Sequence, residues 1–421
     1  MAAPWSEAGS SGEGVVWGLC RGSGGRPYQT AVDIADTSGP GYRCDCPSRK
    51  FPCKHAIGLL LLWADAADAV PVTEAPDWVD RWIAGRRERA EGKRTESPAG
   101  AAAGPGDQEA ARRRAEQRAE RITAGATELE QRLADLLRGG LAGAEQWGYE
   151  LWEETAARMV DAQASGLAAR VRDLGGIPSS GVGWPVRLLE ECALLHLLDQ
   201  AWLRRHRLPE SLAATVRSRV GLPASADGPP VRDRWLVLAQ HDTGDGRLTT
   251  RRIWLYGAET ERTALLLSYG AAGRAPELTL PVGSALEAEV STYPGAGRQR
   301  VALREQFTPP TPADLRPQGG TTARAAVRYG EALRDDPWLD AVPVTLERVV
   351  PVPDGDRWQL ADAEGDTALP LSAPAGSRPG LWRLVALSGG APVRVFGEFG
   401  HRGFTPLTAW PTGPGPAVPL C

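Results

Sequence analysis

The sequence is poor in several things, and each shortage excludes something. Six cysteines in 421 residues are too sparse for a disulfide-stapled secreted scaffold. No charge sign dominates: 48 Lys+Arg stand against 52 Asp+Glu, a formal net charge of −4, which makes the chain a poor candidate for coating nucleic acid through charge alone. A local basic patch could still bind. The strongest apolar run, Ile57–Trp63, is far shorter than the roughly 20 residues that cross a bilayer. Between Met1 and Ser11 no basic stretch precedes an apolar one, so no secretory leader is visible. Walker A, G-x-S-x-G and H-E-x-x-H patterns are missing, which gives no support to an ATPase, hydrolase or zinc protease. The expectation is a soluble cytoplasmic protein that is not an enzyme, with free thiols, no membrane association and no small-molecule substrate.

What is present is ample material for folding. Hydrophobic residues make up 42% of the chain, and 49 Gly, 35 Pro and 15 Trp point to many turns and large aromatic anchors. The length suggests about three units. Within residues 13–46, Val15, Val16, Trp17 and Leu19 form one strand-like run, and Tyr28, Thr30, Val32 and Ile34 alternate as another. The glycine-rich stretch Arg21–Pro27 between them is read as a hairpin connection. Ala56–Ala69 reads as a helix closed by Pro71. Residues 71–116, with mixed charges and then SPAGAAAGPG, read as a charged Pro/Gly/Ala-rich linker. Residues 117–225 read as a helical bundle. Ile122, Leu129, Leu133, Leu136 and Leu137 share a face of the first helix, stopped by Gly139-Gly140. Trp147, Leu151 and Met159 mark a second helix running to Gly175-Gly176; Leu188, Leu189, Cys192, Leu195 and Trp202 mark a third. Residues 226–421 switch to period two and read as β-rich, mainly antiparallel, with a helical interlude near 322–335. Leu381–Leu387 is placed among the strands of that last set. The fold class expected is α+β multidomain: residues 1–70 a small ββα-type zinc finger, then a bundle, then a β-rich region.

Chemistry concentrates in one place, Cys44-Asp-Cys46-Pro-Ser-Arg-Lys-Phe-Pro-Cys53-Lys-His55. A C-x-C pair on an extended segment puts both thiols on one side, because side chains alternate with period two. The intervening loop, its ends fixed by Pro47 and Pro52, can return the chain so that Cys53 and His55 arrive at the start of the next helix. Three thiolates and an imidazole suit one tetrahedral Zn²⁺ with no open corner, which argues for a structural ion. Arg43, Arg49, Lys50 and Lys54 surround the cluster and would offset its negative charge. A Cys44–Cys46 disulfide would be strained, and a Cys53/His55 nucleophile pair would leave Cys44 and Cys46 unexplained.

C-x-C followed by C-x-H, with strands before and an apolar helix after, resembles the SWIM zinc finger family. The match rests on Cys44, Cys46, Cys53 and His55 within YRCDCPSRKFPCKHAIGLLLLW and covers about residues 13–70. The resemblance implies zinc binding and a DNA-binding or protein-interaction role. The whole chain is similar to stand-alone actinobacterial SWIM proteins, which implies an association with MoxR-type AAA ATPases and von Willebrand A-domain proteins. Such proteins usually carry a helical segment ahead of the finger, so the abrupt start here suggests a shortened N-terminus.

Other candidates read as structural. Cys192 and His196 are four apart on a helix, but the leucines around them point to a core cysteine and a satisfied histidine. Asp242, Asp245 and Gly246 read as a hairpin turn rather than a calcium loop. Cys20 reads as core, and Cys421 as a terminal thiol. The leading expectation is a zinc-stabilised adaptor that docks protein partners. The alternative is nucleic-acid binding through Arg43, Arg49, Lys50 and Lys54, helped by basic residues near 86–94 and 112–114.

Overall fold

A computed structural model describes residues 5–421 except 22–25, 35–40, 47–51, 66–68, 96–104, 142–143, 145–147, 245–247, 272–274, 296, 298 and 373–377. Two compact units emerge, one holding residues 1–102, 240–253 and 267–281, the other holding 103–239, 254–266 and 282–421.

The N-terminal segment is a four-stranded antiparallel sheet in sequential order, β1 (Trp5–Ser10), β2 (Val15–Cys20), β3 (Tyr28–Asp33) and β4 (Gly41–Cys44). The β1–β2 turn is built locally: the Ser11 hydroxyl accepts from the amides of Glu13 (3.1 Å) and Val15 (3.2 Å). Register decides which face each residue serves. Val16 lies opposite Val32, and both pack under α1 (Lys54–Asp65) with Ala56 and Leu59. Their neighbours Val15, Trp17 and Ala31 point to the other face and meet Val79, Trp78, Trp82 and Ile83 of α2 (Asp77–Thr95). The sheet is therefore covered on both faces. The doublets Trp78-Val79 and Trp82-Ile83, one turn apart, create the apolar stripe of α2 within a segment whose charge and composition read as linker. β1 is likewise an addition to the two strands expected before the finger.

The bundle consists of α3 (Pro105–Gly139), α4 (Gly148–Asp161), α5 (Ser165–Gly176), α6 (Trp184–Leu203) and α7 (Glu210–Val220). Ile122, Leu129 and Leu133 of α3 are buried with Trp152 and Met159 of α4, Leu167 and Val171 of α5, and Leu188, Leu195 and Trp202 of α6. Leu136 packs partly buried against this core, whereas Leu137 is 43% exposed. The expected second helix breaks in two where Gln163 takes φ 60°; Trp147, offered as its marker, lies outside the described residues. Gly166 then lets α5 start against the end of α7, since a Cβ there would lie 1.9 Å from the Arg219 carbonyl oxygen.

The C-terminal part holds two six-stranded sheets. In the first, β5 (Pro230–Gly244), β6 (Leu248–Gly257), β7 (Thr263–Ala271), β8 (Ser284–Thr292), β9 (Arg300–Gln306) and β10 (Thr311–Pro312) run in the order β10-β8-β5-β6-β7-β9. β9 also pairs antiparallel with β8, while its pairing with β7 is parallel, so five strands close on themselves. The second sheet is β11 (Ala341–Asp354), β12 (Arg357–Asp362), β13 (Ala368–Pro370), β14 (Val393–Gly400), β15 (Gly403–Pro411) and β16 (Val418–Pro419), ordered β13-β12-β11-β14-β15-β16. α8 (Thr322–Asp335), capped by Thr321, and α9 (Arg378–Ser388) pack on it through Ala325 and Leu384. α9 corrects the strand expected at Leu381–Leu387: burial recurs at Gly380, Leu384 and Ser388, a helical period that a run of apolar letters conceals.

Candidate metal centre

The four residues expected to bind metal come together. The Sγ atoms of Cys44, Cys46 and Cys53 and a ring nitrogen of His55 all lie within 4.8 Å of one another. Cys44 ends β4, Cys46 follows two residues on, and Cys53 and His55 flank the first residue of α1. Cys53 caps that helix: its carbonyl accepts the Ile57 amide at 3.1 Å.

The donor set fits zinc. Tetrahedral bond lengths place a thiolate sulfur about 3.6 Å from an imidazole nitrogen, and Cys44 Sγ lies 3.7 Å from His55 Nδ1. Burial pushes the Cys44 thiol up to about 12, despite the Thr30 hydroxyl and the Cys46 amide, with the thiols of Cys46 and Cys53 adding to the rise. At Cys53 burial also raises the pKa, but the Ala56 amide, the Cys44 and Cys46 thiols and the His55 amide outweigh it, so the thiol titrates below its usual value. Burial and the Lys54 ammonium hold His55 below the usual histidine value, against the pull of Asp45, which favours the neutral imidazole a metal needs. Thiols crowded this closely, with Cys53 buried and Cys44 and Cys46 partly shielded, repel one another as thiolates and call for a cation between them. One Zn²⁺ supplies it and, with four protein donors, has no corner left for a reactive water. These residues are positioned to bind one zinc ion.

The supports around the ligands were less legible. Thr30, fully buried and directly across from Cys44 in the β3–β4 register, places its hydroxyl 3.3 Å from Cys44 Sγ. Tyr28 tilts against His55 with ring centroids 5.1 Å apart. Alternation along β3 could have picked out both, since Tyr28 and Thr30 share a parity. Cys20 is buried beside the cluster, its thiol raised by burial and by Cys53, but it stands apart from the four donors.

The four basic residues divide. Arg43 is tied to α2: it donates to the Trp78 carbonyl at 3.0 Å and its guanidinium stacks 5.5 Å from the Trp78 ring. Lys54 is exposed. Arg49 and Lys50 lie outside the described residues. A second arginine clamp escaped the sequence reading: Arg86 pairs with the buried Asp33 at 3.3 Å, across Gly41, where a Cβ would come within 2.3 Å of the guanidinium.

The other candidates behave as structure. Cys192 is buried in the bundle core, while His196 is exposed and meets Glu130 through Nδ1 at 2.8 Å. Asp242 pairs with Arg251 at 2.7 Å; Asp245 and Gly246 lie outside the described residues. Among the described residues no helix is long and apolar enough to cross a membrane.

Comparison with known families agrees with this geometry. Residues 31–64 match the SWIM zinc finger, and residues 117–220 match the SWIM-associated four-helix bundle domain. No curated protein and no solved structure matches the chain. With both segments matched and the four ligands gathered at the end of β4 and the start of α1, the chain is similar over these two segments to a SWIM zinc finger protein.

Proposed function

We propose that this protein is a non-enzymatic cytoplasmic adaptor whose zinc finger is a rigid docking module for protein partners. The observation carrying this reading is the closed ligand set: four protein donors leave the ion a structural task. The outward surface of the finger is also apolar in places. Leu61 and Ile57 of α1 are 63% and 45% exposed, which suits a protein surface better than a phosphate backbone. Of the basic residues that would contact DNA, Arg43 already serves α2. A MoxR-type AAA ATPase or a von Willebrand A-domain protein is the partner to test first.

The experiment is co-purification of the intact zinc-loaded chain with each of these proteins, wild type against Leu61→Asp. Complex formation lost in the variant, with zinc content unchanged, is the expected result. A DNA complex whose affinity falls steeply with salt, with no protein complex, would favour nucleic-acid binding instead.

A further inference from the structure

A second site lies in the other unit, far in sequence from the finger. α3, α7 and the turn after β8 enclose a cavity of about 410 Å³ lined by Arg114, Arg118, Arg217, Ser218, Leu222 and Pro294, among others. Among the described lining residues there is no aspartate or glutamate. Concentrating three guanidinium groups in one concavity is costly unless something negative is bound there, because their fields add where water is partly excluded.

Arg118 is held by the backbone rather than loose. Arg118 donates through Nη2 to the Gly221 carbonyl at 3.0 Å, which fixes the plane of its guanidinium. Its Nε is buried and has no hydrogen-bond partner among the described residues. A buried donor without an acceptor is an unmet demand that an anion would satisfy. Arg114, one helical turn earlier, is exposed and carries no ion pair among the described residues. Arg217 is paired with Glu210 at 2.6 Å, but that carboxylate is 84% exposed, and water can take over its partner's role. The end of α7 would repel an anion through its free carbonyls, yet two of them are occupied: Gly221 N–H bonds the Ser218 oxygen and Leu222 N–H bonds the Arg217 oxygen.

We propose that this cavity binds a small phosphate monoester, its phosphoryl group between Arg114, Arg118 and Arg217 and its body against Leu222 and Pro294. A guanidinium offers parallel N–H donors that match phosphate oxygens. The apolar wall gives a reason for an organic body rather than inorganic phosphate alone, and the volume lies within the range of small-ligand sites.

The test is calorimetric titration of the full zinc-loaded chain with three probes: inorganic phosphate, phenyl phosphate and benzoate. Phenyl phosphate should bind more tightly than either of the others. Arg114→Gln should weaken it by about tenfold or more, the loss of one charged hydrogen-bonding partner, with the thermal midpoint unchanged. Arg118→Gln should do the same or more; since Arg118 also braces Gly221, the exposed Arg114 variant keeps the test valid if that chain fails to fold. Arg112→Gln, which alters an exposed arginine outside the cavity lining, should leave affinity unchanged. Absence of phenyl phosphate binding at millimolar concentration, affinity indifferent to Arg114→Gln, or benzoate binding as tightly as phenyl phosphate would each overturn the proposal.

Discussion

The indole Nε1 of Trp338 donates to the backbone carbonyl of Leu194 at 2.9 Å, joining the segment before β11 to the middle of α6. Trp338 is 3% exposed and belongs to the bundle's apolar core, although it lies more than a hundred residues beyond the bundle's last helix. Bundle and C-terminal sheet should therefore unfold in one transition. Trp338→Ala is expected to cost about 3–5 kcal/mol, a large-to-small core deletion, and Trp338→Phe about 1 kcal/mol for the lost hydrogen bond. Chemical denaturation followed by circular dichroism checks both; two separate wild-type transitions for these regions would contradict the coupling.

Beside that anchor, Arg219 bonds both carboxylate oxygens of Asp336, at 3.1 and 2.5 Å, and Asp336 also accepts the Trp338 amide at 3.2 Å. Both side chains are largely shielded, at 21% and 12% exposure. Asp336→Ala strands the guanidinium and should destabilise by about 3 kcal/mol, whereas the double change Asp336→Leu with Arg219→Met should cost much less. Urea midpoints of the two variants decide it.

Asp199 on α6 is fully buried, and neither carboxylate oxygen has a hydrogen-bond partner among the described residues. Burial, reinforced by the Glu130 charge, raises its pKa to about 9. The folded state thus holds a proton that the unfolded chain releases near its ordinary value of 3.8. Because the native state binds more protons, the contribution of Asp199 to stability is fullest at low pH and declines as pH rises from about 4 towards 9. Asp199→Asn should stabilise the protein at pH 8 by about 1 kcal/mol or more, and this advantage should shrink towards pH 4. A pH series of thermal melts showing a constant difference would contradict the buried-acid reading.

Thr30 touches the finger's chemistry without being a ligand. Thr30→Val keeps the shape, removes the hydroxyl 3.3 Å from Cys44 Sγ, and should lower zinc affinity by about 10–100-fold. Competition with a chromogenic chelator measures it, and unchanged affinity would mean the hydroxyl does not serve the thiolate.

What the sequence disclosed follows the physics of each signal. Cys44, Cys46, Cys53 and His55 were readable because metal ligation demands particular residue types at short spacing, and such patterns survive without coordinates. Long helices with a clean stripe were readable too, as with Ile122, Leu129 and Leu133 on α3. α2 was hidden because only Trp78, Val79, Trp82 and Ile83 carry its apolar face, ahead of a long charged run. The break between α4 and α5 depends on Gln163 taking a left-handed conformation, which no local letter demands. α9 looked like a strand because Leu381–Leu387 is mostly apolar, and only the burial period reveals the helix. Arginine clamps such as Arg86 with Asp33 join positions too far apart for any sequence period to mark.

The central claim is that Cys44, Cys46, Cys53 and His55 hold one zinc ion that folds the finger. Its most direct measurement is the metal content of the intact chain by mass spectrometry, with hydrogen exchange of residues 40–63 before and after chelation. The account predicts about one zinc per chain, loss of that zinc in Cys44→Ser and His55→Ala, and loss of protection throughout the finger once the ion is removed. A metal-free chain with the finger still protected would contradict it.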